Sequence, residues 1–102
     1  MAGPQILTFD ELPTVDRGTG VTTKLIVHRA IGSENLTNGI TTFAPGSKIA
    51  LHWHNCDESV VVIEGEAVAE VDGKTHRMKA YDTTFVPAGV PHRFINESDR
   101  PM

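Results

Sequence analysis

Residues 46–58 read Gly-Ser-Lys-Ile-Ala-Leu-His-Trp-His-Asn-Cys-Asp-Glu, and this stretch decides how the rest of the chain is interpreted. It places two imidazoles two positions apart, at His52 and His54, and a carboxylate four positions later, at Glu58. Successive side chains of a β-strand point to opposite faces, so the two histidines share one face. A short polar break precedes Glu58 and lets the chain turn back towards that face. Two imidazoles and one carboxylate form the facial ligand set of a divalent transition metal with open coordination positions.

A fourth candidate ligand, His92, lies in a second motif far along the chain. Residues 87–96 read Pro-Ala-Gly-Val-Pro-His-Arg-Phe-Ile-Asn. The two prolines and the glycine form a turn that fixes the direction of the backbone just before the imidazole. The histidine stretch and this second motif together are a stronger signal for a metal site than either one alone.

The length and composition fit one globular domain and exclude several functional classes. The chain has 102 residues, of which 39% are hydrophobic and 22% charged, as is typical of a folded domain. A net charge of −4 offers no basic surface for nucleic acid. The longest apolar run, Val60 to Ile63, is too short to cross a membrane. Cys56 has no second cysteine to pair with and the N-terminus lacks an export signal, so the expected location is cytoplasmic.

β-Branched residues and turn signals recur through the chain, and no segment has a helical period of useful length. Asp72-Gly73 is the strongest hairpin signal. The predicted strand from Ser59 to Ile63 contains this apolar run, which is typical of a strand with both faces covered. The pattern predicts an all-β sandwich or barrel. Besides the histidine stretch, the predicted strands are residues 5–9, 24–31, 36–43, 59–63, 67–71, 74–78, 83–86 and 92–95.

The two motifs resemble those of the cupins. The first cupin motif places a glycine, His-x-His, a glutamate and a second glycine at set intervals, and it is matched by Gly46, His52, His54, Glu58 and Gly65. The second motif is matched by Pro87, Gly89, His92 and Asn96. Tyr81 stands where the second motif normally begins with a glycine. The resemblance covers about residues 36–96, with the first motif at 46–65 and the second at 81–96.

The resemblance implies one cupin domain over residues 1–102, built as a double-stranded β-helix, which is a jelly-roll barrel of antiparallel strands. It also implies that a metal ion lies inside the barrel mouth, held by His52, His54, Glu58 and His92. Asn96 is expected to stabilise the last turn. The chain stops at Met102, where cupins usually add a further strand, so an exposed edge is expected there. A homodimer would protect such an edge, and the strand at residues 5–9 is a candidate for exchange between protomers.

The predicted function is that of a metal-dependent enzyme acting on a small, oxygen-rich organic substrate. Dioxygenase-like chemistry is the leading interpretation and sugar-acid or keto-enol isomerisation is an alternative, with Glu58 as the catalytic base. The ligand set suits Fe(II), Mn(II), Ni(II), Co(II) or Zn(II) without choosing among them. A non-enzymatic binding or sensor protein with a structural metal is the alternative. The predicted substrate pocket is apolar, with no inward arginine or lysine, and is lined by Phe43, Ile49, Val60, Val62, Phe85, Phe94 and Ile95.

Overall fold

The computed structural model describes residues 3–102 and consists of antiparallel β-structure. Its strands are β1 (Val15–Asp16), β2 (Val21–Leu25), β3 (Gly39–Phe43), β4 (Glu58–Val61), β5 (Glu66–Val71), β6 (Lys74–Lys79), β7 (Thr83–Val86) and β8 (His92–Ile95). Within residues 3–102 the helical elements are two 3₁₀ turns, Phe9–Glu11 and Arg29–Ile31. Neither turn is long and apolar enough to cross a membrane. The predicted all-β class is confirmed.

The strands form three sheets. Sheet A has the order β1–β2–β3, sheet B has the order β6–β5–β8, and sheet C contains β4 and β7. The histidine stretch lies along the free edge of β8, where Lys48 is opposite Ile95 and His52 is opposite His92. It forms only these two isolated bridges and no regular strand, so the strand predicted there is wrong. On the far edge of sheet A, Phe43 exchanges two backbone hydrogen bonds with Met102, at 2.7 and 3.0 Å. The C-terminal residues therefore lie beside β3.

An apolar core fills the space between the sheets. Its buried members are Val21, Phe43, Val62, Ala67, Ala69, Met78 and Phe94. Two of them connect the core directly to the histidine motifs. Phe94 follows His92 by two positions on β8, and Val62 follows Glu58 by four positions, so each shares a strand face with a candidate ligand. Packing of the core therefore fixes the strands that carry the ligands.

The second half of the chain forms the strands that the sequence predicts. Asp72 and Gly73 have positive φ angles of 51° and 77°, as a two-residue hairpin turn requires, and they join β5 to β6. Strands β7 and β8 have the predicted bounds. Turns favour particular residues, such as glycine and asparagine, at positions with positive φ. The ends of the strands that flank such turns can therefore be predicted from the sequence.

The first third of the chain differs from the prediction. Residues 5–9 form no strand, and Ile6 is 96% exposed. The predicted strand at 24–31 is also wrong, because β2 covers Val21–Leu25 and the chain then enters the 3₁₀ turn Arg29–Ile31. The reason is pairing: all five residues of β2 are opposite residues of β3. A run of β-branched residues without a neighbouring strand gains no ladder of hydrogen bonds.

Tyr81 adopts the backbone conformation of the glycine that it replaces. Its φ is +72°, in the left-handed region where glycine is normally found. Its N–H donates to the carbonyl of Val62, which keeps the chain paired with β4 beyond the end of the strand. The turn therefore has the geometry expected of the second motif, although a large side chain occupies the position.

Asn96 ties the last turn to sheet A, as predicted. Its side chain is fully buried, and its Nδ2 lies 3.1, 3.2 and 2.7 Å from the carbonyl oxygens of Phe43, Ala44 and Arg100. Its Oδ1 accepts from the N–H of Ser98 at 3.0 Å. This one amide joins the end of β3 to the C-terminal segment.

Candidate metal centre

The histidine stretch is positioned by a turn and by pairing with β8. Gly46 has a φ of +76°, and Ser47 closes the turn by donating both its N–H and its hydroxyl to the carbonyl of Ala44. Further along, His52 and His92 exchange two backbone hydrogen bonds, at 3.0 and 2.8 Å. Residues 40 positions apart in sequence (92 − 52) thereby become direct neighbours. The first motif and the second motif meet at this pair.

The four predicted ligands converge on one point. One donor atom from each of His52, His54, Glu58 and His92 lies within 4.8 Å of the donor atoms of the other three. Nε2 of His92 is 2.5 Å from Oε2 of Glu58, and Nε2 of His54 is 3.9 Å from Oε1 of the same carboxylate. His92 is 1% exposed, whereas His54 and Glu58 are accessible at 43% and 31%. The cluster thus has a buried floor and an open side.

Backbone carbonyls orient two of the three imidazoles. Nδ1 of His52 is 2.8 Å from the carbonyl of Ala50, and Nδ1 of His92 is 2.9 Å from the carbonyl of Val90. A carbonyl oxygen only accepts hydrogen bonds, so each Nδ1 must carry the proton. In the neutral ring the lone pair is then on Nε2, the nitrogen that faces the cluster. Protein metal sites commonly fix their histidine ligands in this way.

Two buried atoms of the cluster have no hydrogen-bond partner in the part of the chain that the structure describes. They are Oε2 of Glu58 and Nε2 of His92, which face each other. With Nδ1 of His92 protonated, its Nε2 and the carboxylate oxygen are both acceptors, and two buried acceptors at this distance require a cation or a proton. A divalent cation would satisfy these two atoms and the other two donors together. The residues therefore fit a transition-metal ion, and imidazole with carboxylate is a donor set that several such ions accept.

The loops beside the cluster are clamped to each other. The carbonyl of His54 accepts from the N–H of Gly89 at 2.8 Å, and the carboxylate of Asp57 accepts from the N–H of Ala88 at 3.0 Å. Gly89 has a φ of +83° and an added Cβ there would meet nothing within 4 Å. Small residues therefore leave open space at this side of the cluster.

Five of the seven predicted pocket residues belong to the core or pack against it. Phe43, Val62 and Phe94 are buried members of the core, and Ile49 and Val60 are partly buried against it. They lie on the faces that point between the sheets, as His92 and Glu58 do. The core reaches the cluster at Phe94, whose ring centroid lies 6.3 Å from that of His92.

The other two predicted pocket residues are wrong. Phe85 is 64% exposed, and it lies on the opposite face of β7 from the buried Val86. Ile95 alternates with His92 and Phe94 on β8, so it lies on the outer face of sheet B. Both residues are apolar and close in sequence to a predicted pocket or ligand residue, but the alternation of side chains along a strand places them on the outer face.

A polar cluster on the inner face of sheet A, formed by Thr23, Thr41 and Arg17, is not predicted from the sequence. Thr23 is 8% exposed and its hydroxyl lies 3.0 Å from the hydroxyl of Thr41 and 3.3 Å from Nη1 of Arg17. Thr23 follows the buried Val21 by two positions, and Thr41 precedes the buried Phe43 by two, so both share the inner face. This period of two is the signal that would have found them, once the bounds of β2 and β3 were known.

Comparison with known proteins agrees with the motifs and the fold. Residues 39–102 match the cupin domain family. The chain is a cupin. The structure of KdgF from Halomonas sp. superimposes with a TM-score of 0.83 at 18% identity, over 97% of this chain and 87% of that one. This similarity confirms the predicted jelly-roll barrel.

Two similar proteins have names that refer to polyketides. This cupin is 30% identical over 98 residues to a protein named polyketide synthase CurC, from Streptomyces cyaneus. The aligned region covers 94% of this chain and 63% of that protein. The polyketide cyclase RemF from Streptomyces resistomycificus has a TM-score of 0.83 at 17% identity, over 97% of this chain and 74% of RemF. Other similar proteins are named as an isomerase, a predicted decarboxylase, a lyase and a transcriptional regulator. Membership of the cupin family therefore fixes no single activity.

Proposed function

We propose that this cupin is a metal-dependent enzyme acting on a small, oxygen-rich molecule with an enolisable carbonyl group. The observation that carries the proposal is the cluster of three imidazoles and one carboxylate, with donor atoms within 4.8 Å of one another and with one open side. The apolar core adjoins the cluster at Phe94, and binding sites for planar carbonyl compounds combine apolar walls with a few convergent polar groups. The polyketide names of CurC and RemF support a substrate with several carbonyl groups.

The residues of the cluster would have two roles, to hold a metal ion and to transfer a proton. His52, His54, His92 and Glu58 would hold a divalent ion, which could be iron, manganese, nickel, cobalt or zinc. When bound, such an ion supplies Lewis-acid polarisation of a carbonyl oxygen. The Glu58 carboxylate is the base within reach that can accept a proton from the carbon beside that carbonyl. Its 31% exposure leaves an edge of the carboxylate accessible from the open side.

Dioxygenase chemistry is the second candidate, because a histidine and carboxylate set with open positions is also the donor set of non-haem iron oxygenases. The two candidates differ in whether oxygen is consumed. A binding protein with a structural metal would do neither reaction. We also propose that the chain forms a homodimer, as the sequence predicts. A cytoplasmic location remains a prediction from the sequence.

The test uses purified protein that is freed of metal and then loaded separately with each of the five cations. A simple 1,3-diketone is the probe, with deuterium exchange at its central carbon followed by NMR and oxygen uptake followed by an electrode. We expect exchange in at least one metal form and a loss of about 100-fold or more in Glu58→Gln, the usual size of a general-base contribution. Metal content is measured on the same samples, because Glu58→Gln also changes a ligand.

His54→Ala and His76→Ala form the matched pair of controls. His54 is a member of the cluster, whereas His76 lies on β6 and is exposed outside it. We expect His54→Ala to lose both metal and turnover and His76→Ala to keep both. Oxygen uptake without exchange would favour the dioxygenase, and binding of the probe without either reaction would leave the binding protein. Metal-loaded protein that neither binds nor converts the probe would contradict the proposal.

A further inference from the structure

The two threonines of the polar cluster on sheet A point into the barrel. Thr23 is opposite Thr41 in the ladder of β2 and β3. The pair two positions away, Val21 and Phe43, belongs to the buried core. Opposite residues of antiparallel strands share a face, and every second pair returns to that face. Both hydroxyls are therefore on the inner side of sheet A.

Arg17 reaches the same face from the hairpin that joins β1 to β2. Its N–H donates to the carbonyl of Val21 at 2.8 Å, so Arg17 and Val21 are opposite each other and their side chains share a face. Nη1 of Arg17 lies 3.3 Å from the hydroxyl of Thr23. In the part of the chain that the structure describes, this guanidinium makes no ion pair with a carboxylate. The sequence predicts no arginine in the pocket, so Arg17 adds an unexpected positive charge.

The threonine pair lies towards the same end of the barrel as the candidate metal centre. Strands β3 and β8 end beside each other, because Nδ2 of Asn96 lies 3.1 Å from the carbonyl of Phe43. On β8, His92 is two positions before the core residue Phe94. On β3, Thr41 is likewise two positions before the core residue Phe43. Packed sheets are about 10 Å apart, a gap that one small organic molecule can bridge.

One hydroxyl proton of the polar cluster has no acceptor. The two hydroxyls are 3.0 Å apart, and only one of them can donate across this distance. Thr23 is 8% exposed, so a proton on its hydroxyl is satisfied only by donation to Thr41. The half-buried Thr41 then has a free O–H, since its hydroxyl makes no other hydrogen bond within residues 3–102. This O–H and the remaining N–H groups of Arg17 are all donors, so they suit an acceptor with negative charge.

We propose that Arg17, Thr23 and Thr41 form a subsite for a carboxylate of the substrate. The inference rests on the proposed function and narrows its substrate class to an enolisable carbonyl compound that also carries a carboxylate. Arg17 would supply the positive charge and Thr41 a hydrogen bond. Thr23 is the positioning residue that holds these two groups together. The carbonyl end of the substrate would then face the candidate metal centre on the other side of the barrel.

The test compares two probes that differ in charge. Acetylpyruvate is a diketone with a carboxylate, and its methyl ester is the neutral counterpart. Calorimetry measures the dissociation constant of each probe with metal-loaded protein. Arg17→Gln removes the positive charge, and Thr41→Val removes the hydroxyl but keeps a β-branched shape. The matched controls are Arg29→Gln, in an exposed 3₁₀ turn, and Thr42→Val, on the outer face of β3. Circular dichroism and metal content are measured on every variant.

We expect wild type to bind acetylpyruvate about 10-fold or more tightly than the ester, as hydrogen bonds to a charged group imply. Arg17→Gln should lose this preference, and Thr41→Val should weaken binding of the acid by about 5-fold. Both controls should match wild type, and metal content should not change.

Two results would overturn the subsite and leave the proposed function standing. One is an unchanged preference for the acid in Arg17→Gln, and the other is an equal loss of affinity for acid and ester, which a merely structural role of the cluster would cause. Metal-loaded wild type that binds neither probe would overturn the proposed function together with the subsite.

Discussion

Each oriented imidazole of the candidate metal centre depends on one backbone carbonyl two residues earlier in the chain. Ala50 serves His52 and Val90 serves His92, with the same geometry in two unrelated segments. A carbonyl cannot be removed by substitution of its side chain, so this orientation tolerates changes at both positions. Replacing a histidine of the cluster therefore removes its imidazole, whereas the carbonyl that orients the imidazole stays in place when the side chain of Ala50 or Val90 is changed.

Tyr81 gives a prediction about stability at the scale of one residue. A non-glycine residue in the left-handed region costs about 1 kcal/mol or more, and only part of this is offset by the flexibility that glycine adds to the unfolded chain. We expect Tyr81→Gly to raise the free energy of unfolding by about 0.5–1 kcal/mol. Denaturant unfolding measures this, with Tyr81→Ala as the control that removes the ring but keeps the unfavourable φ of +72°. Equal effects of glycine and alanine would contradict the backbone explanation.

The spacing of the motifs is sufficient to predict the four residues of the cluster, because each motif is local in sequence. Strand alternation predicts which residues share a face, but only after the bounds of a strand are known. For this reason the sequence predicts Phe85 and Ile95 in the pocket, whereas the structure places them outside it, and it gives no indication of the buried Thr23. Their positions depend on which neighbours pair with β7, β8 and β2, and pairing is a long-range property.

At the scale of elements, turns were more predictable than the strands between them. The β5–β6 hairpin follows from Asp72-Gly73, whose conformation is a local property of two residues. Residues 24–31 are rich in β-branched side chains, yet the chain leaves β2 after Leu25. There the side chain of Asn38 accepts from the N–H of Val27 at 2.9 Å, so an amide replaces a strand partner. Propensity alone cannot detect such competition.

Asn96 gives a prediction about the connection between β3 and the C-terminal segment. Asn96→Ala removes a fully buried amide whose Nδ2 lies within hydrogen-bond distance of three carbonyl oxygens and whose Oδ1 accepts from the N–H of Ser98, so the hydrogen bonds that this amide makes between β3 and the C-terminal segment are lost. We expect the free energy of unfolding to fall by about 1–3 kcal/mol. Thermal and denaturant unfolding measure the change, and Asn55→Ala, at an exposed position, is the control. An effect no larger than that of the control would mean that water replaces the amide.

The ion pair between β5 and β8 gives a prediction about pH. Arg93 donates from Nε and Nη2 to the Glu70 carboxylate at 2.6 and 3.3 Å, and these bonds hold the pKa of Glu70 below its ordinary value of 4.5. A lowered pKa in the folded state means that the pair stabilises the fold above about pH 4.5 and that this contribution is lost as the pH falls further. The melting temperatures of metal-free wild type and Arg93→Gln, measured at a series of pH values, should therefore become equal as the pH falls below about 4.5. A constant difference down to the lowest pH would contradict the ion-pair explanation.

At the scale of the whole molecule, the candidate metal centre joins sheets B and C. His92 begins β8 of sheet B, and Glu58 begins β4 of sheet C. Both atoms that lack a partner within residues 3–102 lie at this junction. The sequence could not establish this role from spacing, because it depends on how two sheets face each other. The resemblance to cupins predicts that the four residues meet in the barrel mouth, since the family pattern carries long-range information that a single chain does not display.

A cation that binds only the folded protein must therefore stabilise the whole molecule and not only one loop. At a free metal concentration of 100 times the dissociation constant, binding adds about 2.7 kcal/mol to the free energy of unfolding. For a domain of this size that corresponds to a rise in melting temperature of about 10–20 °C. We expect chelator-treated wild type to melt lower and to recover when the preferred cation is returned, whereas His54→Ala should melt at one temperature in both conditions. His54 is 43% exposed, so its loss should not itself unfold the chain. A cation that raises the melting temperature of His54→Ala as much as that of the wild type would bind elsewhere and would contradict the assignment of this cluster as the metal centre.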